Sequence, residues 1–94
     1  MLQLLFVTAL TSLSPQQRAD FACLRVASTL EVGQHVSLRQ TPWVQGPLRR
    51  LRRTDSNRNW MAEATPLPGT MTYGDFIKLI DACQSGAASR APPP

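Results

Sequence analysis

The chain has 94 residues, a mass of 10.4 kDa and a formal charge of +4, which is enough for one small domain and excludes a large multi-domain enzyme. Hydrophobic residues make up 43% and charged residues only 17%, so a thin folded core is expected rather than a disordered chain. Two cysteines are too few for a disulfide-dense scaffold.

Residues 1–13, MLQLLFVTALTSL, are the most apolar stretch. A buried strand over 2–9 and a short core helix both fit, because a continuous apolar run does not separate the two. A secretory signal is disfavoured, since no Lys or Arg precedes the run and no small-x-small cleavage site follows it. The stretch is also shorter than the roughly 20 apolar residues that span a bilayer.

Residues 14–32 carry the clearest helix signal. Ser14 caps, Pro15 takes the first helical position, and Gln17 completes a capping box. Phe21, Leu24, Ala27 and Leu30 recur at helical spacing, with Ala22 and Val26 widening the face, and Gly33 is the stop. In 34–40, QHVSLRQ, Val36 and Leu38 alternate with His35, Ser37 and Arg39, the pattern of a short half-buried strand. Pro42, Gly46 and Pro47 then punctuate a loop around Trp43 and Val44.

The segment PLRRLRRT at 47–54 reads either as a helix with Leu48 and Leu51 on one face or as a strand. A turn at Asp55-Ser56-Asn57 and a return strand over 60–64 favour a β-hairpin with Arg on both arms. Pro66, Pro68 and Gly69 form the next break. A second helix runs over 72–85, capped by Thr72, with Asp75 in its first turn and Phe76, Ile77, Leu79, Ile80 and Cys83 on its apolar face. The expected fold is α+β: two helices packed on a short antiparallel sheet or hairpin, in a single compact domain over 1–86 with a flexible Pro-rich tail at 87–94. If 1–13 and 47–53 are both helical, the fold is all-α instead.

Charge is distributed unevenly. Arg49, Arg50, Arg52, Arg53 and Arg58 face only Asp55 within their window, which gives residues 49–58 a charge of +4. The remaining Arg18, Arg25, Arg39, Lys78 and Arg90 balance Asp20, Glu31, Glu63, Asp75 and Asp81, five against five. The whole net charge therefore lies in ten residues, flanked by Trp43 and Trp60. Guanidinium is suited to bidentate contact with phosphate or carboxylate, and an adjacent ring can stack on a base. A GC-rich coding bias would also enrich Arg, and both Trp would serve a small core.

Chemistry beyond binding is not indicated. His35 is the single histidine and has no nucleophile or acid near it in sequence; the acids are scattered and no glycine-rich phosphate loop occurs. Neither catalysis, nor a metal, nor a cofactor, nor a small-molecule substrate is expected. Cys23 and Cys83 on apolar helix faces read first as buried thiols in a reducing cytoplasm, and second as a disulfide between the helices. The expectation is a small cytoplasmic regulator binding nucleic acid through Arg49, Arg50, Arg52, Arg53 and Arg58 with Trp43 and Trp60. The alternative is an inhibitor or adaptor docking the same patch on an acidic protein surface. Membrane association ranks last, and a thin core favours a homodimer, paired through the apolar N-terminal strand.

Overall fold

In a computed structural model that describes residues 13–86, four helices follow one another and no strand occurs among the described residues. They are α1 (Pro15–Gln34), α2 (Pro42–Thr54), α3 (Trp60–Glu63) and α4 (Tyr73–Ser85). The fold is all-α, which corrects the expected α+β architecture. The strand, helix and dimer-pairing readings of 1–12, and the flexible tail at 87–94, lie outside the described residues.

α1 starts as its sequence dictates. Ser14 Oγ accepts from the Gln17 N–H at 3.1 Å, and Gln17 Oε1 accepts from the Ser14 N–H at 2.7 Å, so each of two otherwise unpaired backbone donors is satisfied by the other residue's side chain. The helix runs past Gly33 and closes on His35, which adopts the left-handed conformation (φ 54°). At the other end of the chain, Thr72 Oγ1 accepts from the Asp75 N–H at 3.1 Å to start α4, and Gly86 (φ 81°) ends it.

The expected strand over 34–40 is a loop. Its alternation rests on two apolar residues, and among the described residues no neighbouring strand takes its backbone groups. Those groups are satisfied locally instead: the Leu38 N–H donates to Glu31 Oε2 at 2.7 Å, and the Leu38 carbonyl accepts from the Thr41 N–H and hydroxyl.

The expected hairpin is also absent. α2 begins at Pro42 and carries Pro47 inside it. Pro47 has no N–H to donate and disrupts a helix by about 3 kcal/mol in a solvated setting. Here Val44, Pro47, Leu48 and Leu51 sit at i, i+3, i+4 and i+7 and are all buried, so tertiary packing outweighs the local break. The turn at 55–57 does form, with Asp55 Oδ1 accepting from the Asn57 N–H. It leads into the single-turn α3, capped by Asn59, and not into a strand.

α1 is the central element. Toward α2 it buries Leu24 and Ala27 against Val44, Leu48, Leu51, Trp60 and Ala64. Toward α4 it buries Cys23 and Val26 with Cys83, bordered by Leu30, Leu67, Phe76, Leu79 and Ile80. Trp43 packs against both clusters. The connection from α3 to α4 is strapped along α1: Arg25 donates to the Thr65 and Pro66 carbonyls at 3.0 and 3.2 Å, and the Leu67 N–H donates to Thr29 Oγ1 at 2.8 Å.

Cys23 and Cys83 form a disulfide across 60 residues of chain. This corrects the reading of two reduced thiols and removes the ground for a cytoplasmic placement, since such bonds persist in oxidising surroundings. Among the described residues no helix is long and apolar enough to cross a membrane. The bond closes a long loop around one of two small core clusters, so its loss is expected to cost about 2–5 kcal/mol. Urea denaturation of the wild type with and without dithiothreitol, and of C23A/C83A, measures this; an unchanged midpoint would contradict it.

Candidate functional site

The arginine segment is built mainly on α2, and the fold sorts its members into two groups. The apolar stripe Val44, Pro47, Leu48 and Leu51 turns toward α1. Residues two positions further along occupy the opposite side of the helix, because a two-residue step is about 200° of rotation. That side carries Gly46, Arg49, Arg50 and Arg53, which line a shallow groove of about 230 Å³.

Arg50 is not free. Its Nε and Nη2 donate to Asp20 Oδ2 and Oδ1, both at 3.0 Å, in a bidentate pair between α2 and α1. Asp20 is 1% exposed, whereas the Arg50 side chain is 38% exposed, so the carboxylate is sealed and the guanidinium still reaches water. In the sequence Asp20 is one of six scattered acids. Its signal was present, since positions 20, 24 and 27 form one helical stripe and a carboxylate in such a stripe requires a buried cation.

Arg58 is also occupied. It lies outside α2, donates from Nε and Nη2 to Glu63 and stacks 4.3 Å above the Trp60 ring. The hydrogen bond to Glu63 raises its pKa above the ordinary guanidinium value, outweighing a smaller desolvation effect.

Neither tryptophan presents an open ring. Trp60 is 2% exposed, donates its indole N–H to the Asp55 carbonyl at 3.1 Å and packs edge-to-face with Phe21, ring centroids 6.1 Å apart. Trp43 is half-buried between the two core clusters. The two rings therefore act as core, and a base-stacking platform beside the arginines is absent among the described residues.

Arg49, Arg52 and Arg53 are exposed, and none has an acidic partner among the described residues. Arg52 and Arg53 lie in the last turn, where cations favour the helix dipole. Arg49 has no such role, and its i, i+4 spacing to Arg53 is mildly unfavourable to the helix. No family model, curated protein or solved structure matches this chain. The geometry is thus what bears on function: three unpartnered guanidiniums on one helix, beside a fourth held in place by a buried carboxylate.

A second concavity of about 260 Å³ lies between α1 and the start of α4, lined by Thr29, Leu67, Pro68, Met71, Tyr73 and Phe76 among others. None of its lining side chains carries a formal charge, and the Thr29 hydroxyl is engaged, donating to the Arg25 carbonyl and accepting from the Leu67 N–H. The sorting of the arginines has a direct consequence for stability. R50A strands a buried carboxylate and is expected to cost about 1–3 kcal/mol, tempered by water that reaches the partly exposed site. R49A, R52A and R53A are each expected to stay within about 0.5 kcal/mol of wild type. Thermal or urea denaturation of the four single variants checks the division.

Proposed function

We propose that the protein is a small non-catalytic regulator that binds nucleic acid through its phosphates, on the solvent face of α2. The observation that carries this reading is the set of exposed Arg49, Arg52 and Arg53 on one helix, each without an acid beside it. Helical hydrogen bonding and the buried stripe hold the three α-carbons in fixed register, so the charges meet a polyanion together. Phosphate contacts of this kind position a protein without reading sequence. With Trp60 buried and Trp43 packed against both core clusters, neither tryptophan offers a stacking face beside the arginines, and the binding is accordingly carried by charge and sequence-independent.

The number of free cations sets the strength of the effect. Three phosphate contacts give a slope of log K against log salt of about −2.7 on duplex DNA, which is roughly a 40-fold loss between 50 and 200 mM salt. Fluorescence anisotropy on a labelled duplex across that range is expected to show this slope. The R49A/R52A/R53A variant is expected to lose binding while keeping its helical circular dichroism. Absence of binding at low salt, or binding unchanged in the triple variant, overturns the proposal. Binding to polyglutamate with none to DNA or RNA would transfer the site to an acidic protein surface.

A further inference from the structure

Resting on the phosphate-binding reading of α2, we infer that the groove over Gly46 is a seat for a terminal phosphate, the phosphomonoester end of a nucleic-acid strand. Four residues make the seat. Gly46, Arg49, Arg50 and Arg53 stand at i, i+3, i+4 and i+7, the same spacing as the buried stripe two residues before. One face of α2 thus presents three guanidiniums around a position with no side chain.

Arg50 keeps donors to spare. A guanidinium has five N–H donors in a planar fork. Asp20 takes one from Nε and one from Nη2, which leaves the second Nη2 hydrogen and both on Nη1. Nη1 and Nη2 each lie 3.7 Å from where a Cβ on Gly46 would stand, so the group lies across the glycine. Its orientation is fixed by the sealed carboxylate before any ligand arrives, and less side-chain freedom is lost on binding. Room for one tetrahedral anion and its waters is available, while drug-sized ligands usually take pockets above about 300 Å³.

Charge selects the anion. Asp20 neutralises Arg50, so the seat contributes two net positive charges, from Arg49 and Arg53, plus neutral-paired donors from Arg50. A phosphomonoester carries about −1.5 to −2 at pH 7 and has three strong acceptor oxygens, whereas an internal phosphodiester carries one negative charge. The strand end matches the seat, and the strand interior matches it only in part.

The test compares one short oligonucleotide with a 5′-phosphate, a 3′-phosphate or hydroxyl ends, by anisotropy with wild type, G46L and R50K. Inorganic phosphate is titrated in parallel and followed by amide shifts. A phosphorylated end is expected to bind about tenfold tighter than a hydroxyl end, the worth of one charge-assisted hydrogen bond. Inorganic phosphate is expected to shift the amides of residues 46–53 saturably. G46L fills the seat while keeping every charge, and R50K keeps the charge while losing the fork. Each is expected to abolish the preference and leave the salt-dependent binding to duplex intact. Equal affinity for phosphate and hydroxyl ends, or a preference that survives in G46L and R50K, overturns the seat without touching the backbone-binding reading. Loss of all nucleic-acid binding in the wild type, with the inorganic phosphate shifts retained, overturns that reading and the strand end as ligand, and leaves only a phosphate site.

Discussion

Asp20 is a carboxylate with almost no access to water, on the side of α1 that faces α2. A charge in that position is tolerated only when it is paired and hydrogen-bonded, and Arg50 supplies both requirements through two parallel contacts. The consequences reach well beyond one ion pair. The fork sets how α2 lies on α1, because both oxygens must meet both nitrogens. It removes one arginine from the pool of free surface cations. It also aims the remaining donors of Arg50 outward over Gly46. A buried pair of this kind is weak evidence for added stability, since desolvation offsets much of its attraction. Its effect here is on geometry, and the candidate site inherits that geometry.

The small core imposes the second constraint. Its two clusters sit on different sides of α1, one closed by α2 and Trp60, the other by α4. A chain of this length has little apolar area to divide in this way. Among the described residues the α4 side has three that are buried, and two of them are the bonded cysteines. The crosslink therefore stands where apolar burial is thinnest. On the other side, the larger cluster holds α2 firmly by one face and leaves the opposite face to solvent. Rigidity and exposure of the arginines have the same origin, namely the amphipathic spacing of Val44, Leu48 and Leu51.

Legibility in the sequence followed the range of the interactions involved. α1 and α4 were readable because their start signals are local: Ser14 with Gln17, and Thr72 with Asp75, each within one helical turn. α2 was readable only in part. Gly46 and Pro47 are breakers in isolation, and with Pro42 they make the stretch around Trp43 and Val44 read as a loop. The stripe at 44, 47, 48 and 51 was nonetheless in the sequence, and it outweighed the proline once α1 was there to cover it. The strand at 34–40 failed for the opposite reason, as a local alternation has no strand to pair with among the described residues. Of the seven residues singled out for binding, Arg49, Arg52 and Arg53 stand free, while Arg50, Arg58, Trp43 and Trp60 are engaged inside the fold.

By itself the sequence determined where the charge lies, how two helices begin, and that two cysteines face apolar surroundings. These are properties of composition and of contacts within a few residues. Only the tertiary structure decided which arginines remain available, that both tryptophans are core, and that Cys23 meets Cys83. Those outcomes depend on partners 30 to 60 residues away, such as Asp20 for Arg50 and Cys83 for Cys23. No local pattern encodes such a pairing, because it exists only once α1 has α2 on one side and α4 on the other.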